Sequence, residues 1–375
     1  MRLLVAAGAS GGGVYPALAV LQELFGEKTS GDEDLELLWV GGEGGMEEDL
    51  VSRAGYQLRT LPAAGLHGVG LLQLPRNFIQ LARGYLAARR LLGEFKPEVL
   101  FFTGGFVAAP VAIAGFRVPT LAFVPDIQPG FTLRLIARFA DFIAVVAEET
   151  RQFFTKSERV RVTGYPLRSE FTRWKRADAI KHFDLENGLP TLLVFGGSKG
   201  ARSINKALIG GLRTLLQEMQ IIHVTGLGNW EAVEVAMKSL PADLAGRYHA
   251  FSYLHGDMGA AFAAADLAVC RAGASTLGEL PQFSLPAILV PIPFREHLQH
   301  VNAAYLKDRG AAEVLPDGEM QGSLVDAILE LVHDRQRLRR MSTAMSALAK
   351  PNAATHIAEL LRNLGTPSGR KVGRA

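Results

Sequence analysis

Short apolar runs alternate along this chain with amphipathic runs of helical period. Residues 3–7, 37–40, 99–102, 120–124 and 142–146 are four or five positions long and apolar toward both faces, as strands buried inside a parallel sheet are. Residues 16–24 and 46–54 fall between them with apolar positions three and four apart. The alternation predicts an open parallel α/β sheet. It pauses around residues 160–166, where Gly164 and Pro166 suit a linker. After a segment rich in Lys and Arg it resumes with strand-like runs at 191–195, 221–224, 267–270 and 287–290. The pattern therefore gives an α/β protein of two doubly wound Rossmann-like domains, without an internal repeat that aligns.

Composition narrows the class. A chain of 375 residues, 48% hydrophobic, is large enough for two cores. Lys and Arg number 40 against 37 Asp and Glu, so the net charge of +3 argues against a nucleic-acid footprint while tolerating an anionic substrate or a membrane surface. The single Cys270 excludes an intrachain disulfide and, inside an apolar run, reads as a buried thiol of a reducing compartment. The apolar start at residues 1–7 resembles a signal peptide but runs into a glycine loop instead of a cleavage site, which favours a first strand. Residues 99–116 are uncharged and approach the length of a membrane span. Thr103-Gly104-Gly105 and Pro110 interrupt them, so a strand, a loop and a buried helix start are expected.

The chemistry is concentrated in glycine turns. Gly8-Ala-Ser-Gly-Gly-Gly13 follows the first strand of the first half, and Gly196-Gly-Ser-Lys-Gly-Ala-Arg202 follows the first strand of the second. At the carboxyl ends of parallel strands such loops present backbone N–H groups beside a helix start and become anion sites; they also serve simply to pack strand against helix. Ser10, Gly11 and Gly12 are the substrate-binding candidates of the first loop and Ser198 that of the second. Arg271-Ala-Gly-Ala-Ser-Thr-Leu-Gly-Glu279 follows another strand and opens a helix. There Ala274, Ser275 and Thr276 are expected to offer amides to phosphate, with Leu277 and Gly278 completing the turn and Glu279 accepting from sugar hydroxyls. The alternative is a plain strand-to-helix turn with a surface carboxylate. Two anion loops in two domains suit a nucleotide-sugar. The Gly-x-Gly-x-x-Gly spacing of dinucleotide enzymes is not reproduced, and Lys199 precedes Gly200 where a Walker loop would have Lys followed by a hydroxyl. The scattered His residues and the lone Cys offer no metal cage, so neither a metal nor another cofactor is expected.

In order along the chain, residues 8–16, Thr103-Gly-Gly-Phe-Val107, Gly196–Arg202, Cys270–Thr276 and Gln299-His-Val-Asn-Ala303 resemble the MurG family of N-acetylglucosaminyltransferases. The resemblance implies a GT-B architecture, two Rossmann-like domains facing across a cleft. Residues 1–165 would form the acceptor and membrane-facing domain and residues 166–350 the domain for UDP-N-acetylglucosamine. Residues 351–375 would form a helix crossing back to the first domain, followed by a basic tail. It further implies inverting transfer of N-acetylglucosamine to undecaprenyl-diphospho-N-acetylmuramoyl-pentapeptide (lipid I), giving lipid II at the cytoplasmic face of the cell membrane, where the protein would be peripheral. By the same likeness Glu279 holds the ribose, the segment from Ala274 contacts the phosphates, Gln299 reaches the sugar hydroxyls, and Arg168 and Ser198 lie at the nucleotide. Leu298 departs from a commonly polar family position.

The acceptor side departs further. Gly13 stands where the family usually has His, Phe123-Val-Pro-Asp126 where many members have His-Glu-Gln-Asn, and Tyr165 where Asn is usual. An inverting transfer needs a group to take the acceptor proton as positive charge develops on the sugar. Asp126 is the catalytic candidate; an Asp before a turn also serves as a structural cap. His67 is the reserve, and leaving-group stabilisation with water receiving the proton is a third route. Leu71, Leu74, Phe78, Leu81 and Tyr85 recur at helical spacing among Arg76, Arg83, Arg89 and Arg90, a pattern that fits a helix resting on anionic lipid or a stripe packed on the sheet. A related GT-B transferase with another lipid-linked acceptor, a non-catalytic nucleotide-sugar binder, and a hydrolase or epimerase on this fold remain as alternatives.

Overall fold

The computed structural model describes residues 1–8, 11–26, 35–45, 47–62, 74–197, 200–254, 256–294 and 298–366, with only the backbone of Leu74, Pro75, Arg76 and Phe78. The chain divides into two compact units, Met1–Arg168 with Pro351–Ala375, and Ser169–Lys350.

The first unit is a seven-stranded parallel sheet of β1 (Arg2–Ala6), β2 (Glu36–Gly42), β3 (Leu58–Leu61), β4 (Val99–Phe102), β5 (Thr120–Val124), β6 (Phe142–Val145) and β7 (Val160–Val162). Its spatial order is β3-β2-β1-β4-β5-β6-β7. The second unit is a six-stranded parallel sheet of β8 (Thr191–Phe195), β9 (Gln220–Val224), β10 (Tyr248–Phe251), β11 (Leu267–Cys270), β12 (Ala287–Leu289) and β13 (Ala312–Val314), ordered β10-β9-β8-β11-β12-β13. Both are Rossmann-like, and strand order reverses direction beside β1 in one sheet and beside β8 in the other. Ligands of such sheets bind outside the carboxyl ends of the strands at those reversal points.

Residues 160–166 do not form the pause expected from Gly164 and Pro166. Val160–Val162 pairs with β6, and the amides of Thr163 and Gly164 both donate to Val145 O, at 3.0 and 3.2 Å. Tyr165 then packs its ring edge-on to Phe123, centroids 5.9 Å apart, and donates to Gly12 O at 3.4 Å. These contacts hold the segment to the first sheet, so the division falls after Arg168 instead of after residue 165. The last helix, Ala353–Gly365, buries Ile357, Ala358, Leu361 and Leu364. Thr355 Oγ1 and Arg362 both donate to Glu23, at 3.3 Å each, which fastens this helix to the first helix, Gly11–Gly26. Residues 99–116 resolve into β4 and the short helix Ala108–Ala114, and no helix among the described residues is long and apolar enough to cross a membrane.

Candidate functional site

In the first unit three sequence-distant segments follow the carboxyl ends of the neighbouring strands β1, β4 and β5. The first is the glycine turn after β1, whose helix begins at Gly11 with Gly12 and Gly13 in its opening turn. Ser10 lies outside the described residues. The second is Thr103-Gly104-Gly105 after β4. Its hydroxyl donates to Gly13 O at 2.6 Å, and the turn needs φ of +129° and +94° at its two glycines. A Cβ at Gly105 would sit 3.0 Å from the backbone of Gly8, so the two glycine loops are pressed together main chain to main chain. The third is Asp126, two residues beyond β5, partly exposed on the turn that follows the buried Pro125.

The same packing accounts for Gly13. A Cβ there would stand 3.2 Å from Gly8 O, which would have to give by a few tenths of an ångström, and 3.6 Å from Thr103 O, an ordinary contact. Arg168 ends this unit with its guanidinium 4.6 Å from the centroid of Tyr15, a cation–π contact on the first helix. The sequence reading had placed Arg168 in the nucleotide domain; the Tyr15 contact and the strand that precedes it keep it in the first unit.

Sequence reasoning missed Glu47. It follows Gly44-Gly45 in the first turn of Glu47–Arg53 and is 2% exposed. Its Oε1 accepts from Gly42 N at 2.8 Å, and its side chain occupies the space that a Cβ would need at Gly8, Gly41 or Gly45. Three backbones thus close around one carboxylate at the root of the first glycine loop. The available signal was an acidic residue two positions after a glycine pair, which periodicity treats as a solvated helix start.

In the second unit, the loops after β8, β11 and β12 gather at the carboxyl edge of the sheet. The turn after β11 is rigidly built. Arg271 donates to Val290 O (3.0 Å) and Pro291 O (3.2 Å), pairs with Asp317 at 2.5 Å and donates to Ser203 Oγ at 2.9 Å. It is therefore a structural tie between loops. Asn302, fully buried, donates to Ala272 O at 3.2 Å.

The expectation of free amides across Ala274–Thr276 needs correction. Thr276 N donates to Gly273 O (3.1 Å), Leu277 N to Ala274 O (3.1 Å), Gly278 N to Ser275 O (3.0 Å), and the Thr276 hydroxyl to Gly273 O (2.6 Å). The tight turn consumes these donors, because the helix Thr276–Gln282 starts with i to i+3 bonds. Only the amides of Ala274 and Ser275 carry no such bond among the described residues. Ser275 Oγ donates to Glu279 Oε2 at 2.8 Å, which fixes the carboxylate one turn along the helix.

Gln299 opens the helix Gln299–Asp308, and its Oε1 accepts from Ile292 N at 3.1 Å while His300 Nε2 bonds Ile292 O at 2.8 Å. Ser198 lies outside the described residues, as does His67 in the first unit. Gly197 and Gly200 flank Ser198 with φ of +83° and +72°, and a Cβ at Gly200 would overlap Thr225 O.

Below that loop runs a buried chain the sequence did not reveal. Asn205 Nδ2 donates to Thr225 O at 2.9 Å, so its Oδ1 faces His223 Nε2 at 3.1 Å, and Tyr248 Oη lies 2.7 Å from Nδ1. This order fixes a neutral Nε2–H ring that receives the Tyr248 proton. Burial pushes the His223 pKa down to about 3 and raises that of the Tyr248 phenol, so both stay uncharged. The Cys270 thiol is likewise raised, first by burial and then by the negative charge of Glu279. No cluster of metal-ligating side chains occurs among the described residues.

With this geometry in view, the comparisons are consistent across the whole chain. Residues 3–145 match the Glycosyltransferase family 28 N-terminal domain and residues 191–359 the Glycosyltransferase family 28 C-terminal domain. A protein of Roseiflexus sp. (strain RS-1) is 40% identical over 97% of this chain and 95% of its own length. One of Desulforamulus reducens is 34% identical over 97% and 99%. Both bear the name UDP-N-acetylglucosamine–N-acetylmuramyl-(pentapeptide) pyrophosphoryl-undecaprenol N-acetylglucosamine transferase. Among solved structures, Acinetobacter baumannii MurG superposes with a TM-score of 0.73 at 25% identity, covering 96% of this chain and 99% of that one. A UDP complex of S. aureus MnaA shares the fold alone, with a TM-score of 0.67 at 14% identity, over 95% and 94% of the two chains. Two Rossmann-like units, matched end to end by both halves of one glycosyltransferase family, leave one assignment: the chain is a GT-B glycosyltransferase of family 28 and belongs to its MurG branch.

Proposed function

We propose that the chain transfers N-acetylglucosamine from UDP-N-acetylglucosamine to undecaprenyl-diphospho-N-acetylmuramoyl-pentapeptide, with inversion at the anomeric carbon, in peptidoglycan synthesis. The observation that carries the reading is likeness through both units to relatives of that name, at 40% identity over 97% of the chain. The donor would lie against the second unit. Glu279, oriented by Ser275, accepts from the ribose hydroxyls; the Ala274 and Ser275 amides and the Ser198 hydroxyl meet the diphosphate; Gln299 serves the sugar. The acceptor would lie against the first unit, its diphosphate at Gly11 and Gly12 beside Ser10. Asp126 takes the proton from the attacking hydroxyl, and Arg168 offsets charge that builds on the departing diphosphate.

The acceptor is lipid-linked, so the first unit must work at a membrane surface. Support comes from Ile79 (62% exposed), Leu86 (60%), Ile113 (49%) and Phe116 (58%), accompanied by exposed Arg83, Arg89, Arg90 and Arg117. This is a different face from the one read in the sequence. Within the helix Leu74–Phe95, Leu81 and Tyr85 are half-buried on the protein side and Ile79 and Leu86 point outward, while Leu71 and the Leu74 and Phe78 side chains lie outside the described residues. A peripheral place on the cytoplasmic leaflet follows from this reading.

The test is transfer of radiolabelled sugar by the purified chain to a panel of lipid-linked saccharides. Label appearing on the muramoyl-pentapeptide lipid together with released UDP is the expected result. Label on a different lipid, or tight UDP binding with no transfer to any lipid, refutes the acceptor assignment.

A further inference from the structure

A cavity of about 620 Å³ opens in the second unit at the amino ends of β8, β11 and β12, lined among others by Pro190, Asp266 and Pro286, which immediately precede those strands. The donor loops follow the carboxyl ends of the same strands. Three to five residues of strand, about 10 to 17 Å, therefore separate the cavity from them.

Its hydrogen-bonding character is one-sided. The lining carboxylate, Asp266, is already committed: it pairs with Arg176 at 2.9 Å and accepts from Thr191 N at 2.8 Å. Ser342 Oγ donates to Ser284 O at 2.7 Å. The other charged side chains of the lining, Arg176 apart, are two arginines. Arg335 and Arg339 line the cavity, are exposed, and make no ion pair. Arg335, Leu338, Arg339 and Ser342 stand at i, i+3, i+4 and i+7 of the helix Arg335–Ser346, so one face of that helix forms a wall of the cavity. Phe283, Leu285 and Val332 supply apolar lining.

Two like charges four residues apart on one helix face repel each other. An anion held by both guanidinium groups relieves that repulsion. We propose that this cavity binds a small amphiphilic anion, whose phosphate or carboxylate head meets Arg335 and Arg339 and whose short hydrocarbon body lies against Phe283, Leu285 and Val332. Binding there is independent of the donor site.

The experiment is calorimetric titration of the full chain with monomeric octyl phosphate, in the presence and absence of saturating UDP, with inorganic phosphate, octanol and phosphatidylglycerol vesicles as separate arms. Octyl phosphate is expected to bind with or without UDP, and more tightly than phosphate or octanol. The exposed double variant R335E/R339E is expected to lose about thirtyfold or more in that affinity while its UDP affinity and melting temperature stay those of the parent. Four results overturn the proposal: unchanged octyl phosphate affinity in the double variant, displacement by UDP, equal binding of phosphate or octanol, or binding to vesicles without any binding of the monomer.

Discussion

Burial lowers the pKa of His249 as well, but acid should weaken the second unit above all through His223. It is fully buried under the glycine loop after β8, donates to Asn205 and accepts from Tyr248, and burial lowers its pKa from the ordinary 6.5 to about 3. The unfolded chain takes up a proton near pH 6.5 and the folded chain only near pH 3. Stability from the neutral ring is therefore complete above pH 6.5 and is lost as pH falls through that window, by up to about 1.4 kcal/mol per unit. Between pH 7.5 and pH 5 the loss comes to about 2 kcal/mol. The perturbation is His223→Gln, which keeps a polar side chain but cannot titrate. Urea unfolding followed by tryptophan emission at pH 7.5, 6 and 5 reads the result, two of the three tryptophans, Trp174 and Trp230, being in this unit. Carboxylates and His249 contribute alike to both proteins and cancel in the comparison. The variant should be less stable at pH 7.5 but lose about 2 kcal/mol less on acidification. Parallel pH profiles for the two proteins would refute the reasoning. Because Asn205 ties the ring to Thr225 O, against which Gly200 closes, the same titration should loosen the donor loop.

Three further outcomes are expected. Glu279→Ala should raise the KM for UDP-N-acetylglucosamine by about 10- to 100-fold, the worth of a charge-assisted hydrogen bond; unchanged UDP affinity by calorimetry removes Glu279 from the donor site. Asp126→Asn should cut kcat by about 100-fold or more while leaving donor KM within about twofold, and normal steady-state turnover would end its role as base. Cys270 should resist iodoacetamide in the native protein and react once urea unfolds it, since burial and Glu279 both hold the thiol protonated; rapid native labelling measured by mass would contradict its burial.

Much was legible in the chain before folding was considered. Runs such as 99–102, 120–124, 191–195 and 267–270 are apolar on both faces, a condition that only interior strands of a parallel sheet impose, and they coincide with β4, β5, β8 and β11. Glycine turns after β1 and β8 were equally readable, because left-handed backbone and close approach each demand glycine at a few positions. The edge strands β3, β7, β10 and β13 were not, since their residues are half solvated and resemble loops.

The sequence by itself determined a two-sheet α/β chain and, through its motifs, the family. Only tertiary structure decided how the site is held. Glu47 inside three glycines, Arg271 spent on Ser203, Asp317 and two carbonyls, and Thr276 spent on its own turn all depend on which backbones meet. The reason is physical: local period and residue type fix whether a segment becomes strand or helix. The partner of a polar atom is instead set by contacts between segments distant in sequence, and no local pattern encodes those contacts.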